Sequence, residues 1–318
     1  MSNLNQLSQI PMRTVALTEQ DKAVIRKNKL KRALFIIAMI IVPLANFFVF
    51  YISVNINSIL MAFQTVNGDW TFEVLGNVVE RIFGDQSDIL TYLGNTLIYF
   101  LNSIFVMMPL ITGVAYFIYK KIFLYKFFRV IFFLPSIVSS LVFVMLYKEM
   151  WAAGNGPMTK LMVSMFNLPE NISFLENPNY TKWVILVYTI WTGFGTNLIL
   201  MTGAMNRIPE EVLEAGALDG VGNFKELTSI ILPLIWPTLT TLLVLAFTGI
   251  FTASGPLLLF SDGEYDTMTI SYYIFREVKN GGDLNFASAM GLFFTAVGLP
   301  IIMGVRKLLE RLQDAIEY

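Results

Sequence analysis

The ionisable side chains most able to do chemistry are gathered in one short segment, EEVLEAGALDGVGNFKELTSIILP, at residues 210–233. The 318-residue chain contains no cysteine and no histidine. This excludes disulfides, thiol chemistry, zinc sites of the Cys/His type and histidine acid–base catalysis. The functional groups of the segment are therefore carboxylates beside an apolar face. This combination is typical of a surface to which another protein binds. The carboxylates are Glu210, Glu211, Glu214, Asp219 and Glu226.

The rest of the chain is apolar, with 55% hydrophobic and 14% charged residues, whereas soluble proteins are nearer a quarter charged. The net charge of −1 gives no basic field that would favour nucleic acid. Six uncharged runs are long enough for helices that cross a hydrocarbon core ~30 Å thick, and strand-like alternation is missing. We therefore expect an all-α polytopic membrane protein with six transmembrane helices. They are predicted near 33–56, 94–119, 130–147, 183–205, 230–255 and 286–305.

The distribution of lysine and arginine predicts the orientation of these spans. Sixteen of the 22 basic residues fall before the first span, in 120–129, around 207–225 and after 305. Because basic residues are enriched on the cytoplasmic side, we expect both termini and the acidic segment to be cytoplasmic. The longer connections near 57–93, 148–182 and 256–285 are then external.

The residues around the acidic segment predict its local structure. Pro209 suits the first turn of a helix, and the two glutamates after it favour the positive helix end. Gly220 or Gly222 can end this helix in a left-handed conformation, and a second helix can start at Phe224 and run into the fifth span. Gly216 lies four residues before Gly220, on the same helix face. The alternative is a solvated amphipathic connector.

The spacing within this segment resembles a family motif: Glu-Ala-Ala, three residues, Gly, nine residues, Ile-x-Leu-Pro. The chain has Glu214-Ala215-Gly216, then Gly220, then Ile230-Ile231-Leu232-Pro233. This is similar to the cytoplasmic motif of the membrane subunits of binding-protein-dependent ABC importers. Gly216 departs from the usual alanine, which weakens a helix by about 1 kcal/mol but keeps the face small.

The resemblance extends along the chain to the carbohydrate branch of that family. Residues 55–63, NINSILMAF, look like the end of the first span of sugar permeases, and 128–135, FRVIFFLP, like their entry to the third. Ile190-Trp191 and Ala287-Ser288-Ala289 recur in similar places. The first permease subunits of maltose, glycerol-phosphate and multiple-sugar importers are the nearest comparison. The implied organisation is a cytoplasmic tail at 1–32 and a type I ABC importer permease domain at 33–318, with a coupling loop at 208–233.

The resemblance also implies function and partners. The loop helix would dock in a groove of an ATP-hydrolysing subunit, with Glu214 as the central polar contact, Ala215, Gly216 and Asp219 beside it, and Gly220 at the turn. Implied partners are a second homologous permease, two ATP-binding cassette ATPases, an extracellular solute-binding protein, a sugar or oligosaccharide, and membrane lipid. ATP and Mg²⁺ would be bound by the ATPases, with no cofactor, metal or catalytic residue on this chain. The implied location is the bacterial cytoplasmic membrane.

The sequence is less consistent with other classes of protein. It contains no Gly-x-x-x-x-Gly-Lys-Ser/Thr, so it has no phosphate-binding loop of its own. An ion-coupled secondary carrier is the main alternative, but such carriers keep ionisable residues within the membrane and the six runs have none. An intramembrane enzyme would need an Asp or Ser site. An importer permease for a non-sugar solute also stays open.

Aromatic and uncharged polar residues in two spans are candidates for the substrate pathway, because sugars are held by ring faces and hydrogen-bonding groups. Packing and bonding to the preceding turn are the alternative roles. An external acidic group, Asp262, Glu264 and Asp266, either contacts the binding protein or is a solvated face. The pathway candidates are Tyr188, Trp191, Thr192, Thr196 and Asn197 in the fourth span and Thr248, Phe251, Thr252 and Ser254 in the fifth.

Overall fold

The computed structural model describes residues 19–84, 88–252 and 255–316. The chain divides into two compact units between Ser58 and Ile59. The first unit is helical: α1 (Glu19–Asn46) passes through a π-helical stretch (Phe47–Ser53) into the first residues of α2 (Val54–Met61), up to Ser58. Residues 1–18, including Arg13, lie outside the described part of the chain. The predicted tail at 1–32 is thus helical from Glu19 onward and continuous with the first span.

The second unit is also built from helices. Within the described residues its only extended pairing is an isolated bridge between Gln64 and Trp70. This unit contains α3 (Glu73–Phe83), α4 (Ile89–Leu101), a π-helical stretch (Asn102–Met107), α5 (Met108–Tyr119), α6 (Tyr125–Ile137), α7 (Ser140–Met150), α8 (Pro157–Phe166), α9 (Thr181–Met205), α10 (Glu210–Leu218), α11 (Asn223–Glu226), a π-helical stretch (Leu227–Ile231), α12 (Leu232–Thr248), α13 (Leu257–Phe260), α14 (Ile270–Lys279) and α15 (Leu284–Ile316).

The all-α membrane fold predicted from the sequence is confirmed. Five helical segments of the described chain are long and apolar enough to cross a membrane, or six if a bent pair of helices is counted as one span. The five are Ile25–Met61, Ile89–Tyr119, Thr181–Met205, Asn223–Thr248 and Leu284–Leu312, and the bent pair is Tyr125–Ile137 with Ser140–Met150.

The third span differs from the single helix expected at 130–147. The chain bends by 114° between α6 and α7. The bend arises because Val138 is extended and Ser139 has a ψ of 131°. Pro135 lies one turn before the break and removes a backbone donor from the helix. The uncharged run is continuous through the break, so hydropathy alone cannot detect the change of direction.

Small residues let the spans of the second unit approach closely. A Cβ on Gly193 would lie 2.2 Å from Met107 Sδ, and one on Gly195 would lie 2.4 Å from Ser136 Cβ. These contacts place α9 against the second span and against α6. Since lipid is as apolar as the side chains, such close packing holds membrane helices together.

The three long connections that were predicted to be external contain helices that the sequence did not predict. Val74, Val78 and Ile82 of α3 recur every four residues and are buried together with Met290 of α15. The connection before α14 is held by Asn95, whose Nδ2 donates to Asp266 O at 3.0 Å and to Met268 O at 2.8 Å. These connections are therefore packed on the spans and held by hydrogen bonds.

Candidate functional site

The acidic segment forms a helix, a tight turn and a second helix. α10 begins at Glu210, directly after Pro209, and places Glu210 and Glu211 in its first turn. It ends at Leu218, and the amide of Val221 then donates to Gly216 O at 3.0 Å. Gly220 is left-handed with φ +74°, whereas Gly222 is extended with φ −74° and ψ 160°. Of the two glycines suggested by the sequence, Gly220 makes the turn. α11 starts at Asn223, one residue before the expected position.

The inner face of α10 packs on the start of the fifth span. Gly216 is buried, and a Cβ there would lie 2.7 Å from Ile230 Cδ1. Leu213 packs beside it against a core that includes Met205 and Ile231. The small residue at 216 therefore sets how closely the helix approaches the membrane bundle.

The outer face of the loop is exposed. Glu214, Ala215, Asp219 and Gly220 are all solvent-accessible. Two large apolar side chains accompany them: Leu218 is 89% exposed and Phe224 is 80% exposed. Carboxylates beside exposed apolar side chains are typical of a protein interaction surface. Of the five predicted docking residues, only Gly216 faces inward.

Glu226 does not belong to this exposed surface. It is 7% exposed, and its carboxylate is held by two side chains at the end of α5. Lys120 Nζ lies 2.9 Å from Oε1, and Tyr116 OH donates to Oε1 at 3.4 Å and to Asn223 O at 3.1 Å. The base of the loop is therefore fixed to the second span by a charged contact that the sequence did not predict.

A cleft between α12, α14 and α15 brings together three pathway candidates. Its volume is about 320 Å³, and Thr248, Phe251 and Thr252 line it. Two further hydroxyl residues, Ser271 and Thr295, complete the polar part of the lining. These two residues were not predicted. Thr295 could have been, because it carries a hydroxyl within an apolar run, as Thr248 does. Ser254 lies outside the described residues.

The candidates on α9 lie in other environments and do not line that cleft. Tyr188 is buried at 3% exposure and packs edge-on against Tyr147 and Phe260. Trp191 is half-buried, and its Nε1 donates to Ile131 O at 3.4 Å.

The remaining α9 candidates are polar. Thr192 donates to Tyr188 O at 3.0 Å and Asn197 to Gly193 O at 3.1 Å. Both bonds run to the preceding turn of the same helix, and Thr196 is exposed. The pathway role of the α9 residues stays a prediction.

The acidic residues of the connection at 256–285, which was predicted to be external, make local contacts. Asp266 pairs with Lys182 Nζ at 2.7 Å, and Asp262 accepts a hydrogen bond from the hydroxyl of Tyr272. Burial, followed by the neighbouring Asp262, raises the pKa of Tyr272 above its usual value. Within the described ranges no three acidic side chains lie close enough to hold a metal ion.

The chain belongs to the family of binding-protein-dependent transport system inner membrane components. The family's sequence profile matches residues 106–315, which include the acidic loop, α9, α12 and the cleft. Members of this family are membrane permeases, so the loop and the cleft lie on a transport protein.

The curated proteins that the chain resembles include permease proteins of transport systems. It is 27% identical over 179 residues to the probable ABC transporter permease protein YesP of Bacillus subtilis, a match that covers 54% of this chain and 57% of that one. It is 25% identical over 193 residues to the maltose/maltodextrin transport system permease protein MalF of Escherichia coli, covering 56% of this chain and 37% of MalF. Protein LplB of Bacillus subtilis is 25% identical over 286 residues, covering 86% and 88%. The chain thus spans little more than half of YesP and about a third of MalF.

A solved structure shows the same fold. A chain of a bacterial ABC transporter involved in the import of the acidic polysaccharide alginate superposes with a TM-score of 0.77 at 23% identity. The match covers 89% of this chain and 98% of that one. A chain of a bacterial alginate ABC transporter, solved in complex with an alginate pentasaccharide-bound periplasmic protein, also superposes with a TM-score of 0.77.

Proposed function

We propose that this protein is a transmembrane permease subunit of an ATP-driven importer, and that it translocates a sugar or oligosaccharide delivered by an extracellular binding protein. The observation that carries the proposal is the loop at 208–233. It is anchored on its inner face by Gly216 and Glu226, and it is exposed on its outer face at Glu214, Leu218 and Phe224.

The energy for transport comes from partner chains. The sequence has no phosphate-binding loop, so two ATPase subunits bind ATP and Mg²⁺, and the outer face of α10 docks on one of them. Glu214 is the central polar contact, Ala215 and Asp219 border it, and Gly220 makes the turn that presents them. A second, homologous permease completes the membrane pathway.

The anchoring of the loop supports a mechanical role. A displacement of α10 is transmitted to the fifth span through the Gly216–Ile230 contact and to the second span through Glu226 and Lys120. Packed helices have discrete arrangements and do not deform continuously. Closure of the paired ATPases therefore moves these two spans together and switches the pathway between inward-open and outward-open states.

Two kinds of observation support a saccharide as the substrate. The names of MalF and of the alginate importer state that those proteins transport saccharides. The cleft at Phe251 combines a ring with the hydroxyls of Thr248, Thr252, Ser271 and Thr295, the uncharged and aromatic groups that suit a sugar.

The orientation follows from charge. Most of the lysine and arginine residues lie on the side of the spans that carries both termini and the loop. This supports a cytoplasmic position for all three, in a bacterial cytoplasmic membrane. The basic residues on the other side include Lys148, which donates to Leu259 O at 3.2 Å, and Lys182, which pairs with Asp266.

The decisive test is reconstitution of the purified importer in proteoliposomes with its binding protein. We expect ATP hydrolysis to rise when a panel of saccharides is added on the side of the binding protein. Stimulation only by amino acids or metal ions would overturn the saccharide assignment. Purification of a transport-active chain without any ATPase would overturn the importer assignment.

A further inference from the structure

We propose that the connection between the second and third spans is a binding site for an anionic phospholipid. Its headgroup rests on Lys121, Lys126 and Arg129, and its acyl chains occupy two apolar grooves on α6. The site is independent of the transported solute and of docking by the loop.

The first groove lies between the end of α5 and the start of α6. Its volume is about 380 Å³, and its lining is almost entirely carbon. Phe117, Ile122, Phe123, Phe128 and Phe132 are among the residues that line it. Phe123 is 85% exposed, so the groove has an aromatic edge that a partner of matching apolarity would cover.

The second groove runs along another side of α6 and has a volume of about 330 Å³. Val130, Phe133 and Ile137 are among its lining residues, together with Arg129. At 100° per residue, Phe128 and Phe132 lie on one side of the helix and Val130 and Ile137 on another, with Arg129 between the two sides. The guanidinium is thus placed on the ridge that separates the grooves.

Positive charge is concentrated at the same end of α6. Residues 120–129 contain four cations and no acid. Lys120 is held by Glu226, but Lys121, Lys126 and Arg129 are exposed and take part in none of the ion pairs found in the described part of the chain. α6 also begins here without a side-chain cap, so the partial positive charge of the helix start adds to theirs.

The position in the membrane selects a phospholipid as the occupant. The second span ends at Tyr119 and the next helix begins at Tyr125, so the cations lie where lipid headgroups lie and both grooves extend from there into the span. Lys121 and Leu124 have positive φ values of 52° and 63° and form the tight turn that exposes Phe123. A soluble anion would use only the cations and an apolar peptide only the grooves. An anionic phospholipid uses both, and basic pockets beside transmembrane helices recognise such headgroups.

The test is native mass spectrometry of the full chain in detergent, titrated with phosphatidylglycerol or with phosphatidylcholine of the same acyl chains. We expect the wild-type protein to retain phosphatidylglycerol preferentially. The triple variant Lys121→Gln, Lys126→Gln, Arg129→Gln should bind phosphatidylglycerol about tenfold more weakly, because each cation near an anionic headgroup adds to the attraction. Phe123→Ala should weaken binding of both lipids.

A matched control removes the same number of charges elsewhere: Lys225→Gln, Lys307→Gln, Arg311→Gln, all exposed positions. This control should bind phosphatidylglycerol as the wild type does. Equal retention of the two lipids by the wild type, or equal losses in the two triple variants, would overturn the site. Displacement of phosphatidylglycerol by glycerol phosphate, with no effect of Phe123→Ala, would show a simple anion site and overturn the role of the grooves.

Discussion

Lys120 and Glu226, which are 106 positions apart in the sequence, form an ion pair in which Nζ lies 2.9 Å from Oε1 and 3.0 Å from Oε2. The glutamate side chain is 9% exposed and the lysine 32%. This pair joins the end of the second span to the start of the fifth, at the base of the exposed loop. It shows that the acidic segment has two parts, one carboxylate that anchors the loop and others that remain accessible.

The pair predicts an asymmetry between single and double substitutions. Lys120→Met leaves a buried carboxylate without its cation and should lower the free energy of unfolding by about 2 kcal/mol. The double variant Lys120→Met, Glu226→Gln removes the unpaired charge and should recover part of this loss. Thermal unfolding in detergent measures both, and a double variant less stable than the single one would contradict the pairing.

Gly216 predicts a size limit at the inner face of α10. Gly216→Ala should stay within about 1 kcal/mol of the wild type, because the gain in helix propensity offsets the small shift required of Ile230 Cδ1, the flexible end of a side chain. Gly216→Val should be clearly less stable, since its branched carbons meet the same neighbour. Thermal unfolding of the two variants tests this, and equal stability would show that the helix does not pack closely here.

The orientation predicts the results of reporter fusions. Fusions after residues 125, 215 and 312 should report as cytoplasmic, and fusions near residues 75, 165 and 270 as external, because the basic residues favour that arrangement. One reversed reporter would contradict the proposed topology.

The cleft predicts a change in substrate affinity. Thr248→Val and Thr252→Val keep the side-chain volume but remove a hydroxyl, and each should raise the half-saturation concentration for saccharide uptake by roughly two- to tenfold. Thr241→Val is the matched control. Thr241 is exposed on the same helix and donates to Pro237 O at 2.9 Å, much as Thr248 donates to Leu245 O at 2.6 Å, but it lies outside the cleft lining. Equal changes in the half-saturation concentration for all three variants would show that the cleft does not line the pathway.

Much of this fold follows from the sequence because hydropathy and local turn chemistry are local properties. The spans are uncharged runs, and the turn at Gly220 needs a residue that tolerates a positive φ. The helix α3 could also have been predicted, since Val74, Val78 and Ile82 repeat at helical spacing.

The features that were not predicted depend on contacts between residues distant in sequence or on the direction in which a helix runs. The burial of Glu226 requires Lys120, which no local pattern identifies as its partner. The bend after Ile137 changes the direction of an apolar run without changing its composition. Thr248 and Ser271 line the same cleft only because α12, α14 and α15 pack around it. Composition identified hydroxyl and aromatic residues in two spans but could not say which of them face the same space.

The central proposal is that the loop receives mechanical work from an ATPase through Glu214. Exposed surface substitutions typically change stability by about 0.5 kcal/mol or less, whereas loss of one partner from a desolvated charged contact costs association roughly 2–5 kcal/mol. The effect of Glu214→Ala on docking should therefore be distinguishable from a folding defect. Gly220→Val should act in the same way, because it blocks the left-handed turn.

The most direct measurement is co-purification of the ATPase together with saccharide uptake for Glu214→Ala, with Glu80→Ala as the control at another exposed helical glutamate, outside the loop. We predict that both variants reach the membrane at wild-type levels. Glu80→Ala should transport normally, while Glu214→Ala should lose most of its uptake and retain less ATPase. Normal uptake and normal ATPase retention by Glu214→Ala would contradict the docking role of this residue, and the same result for Gly220→Val would leave the loop as a connector.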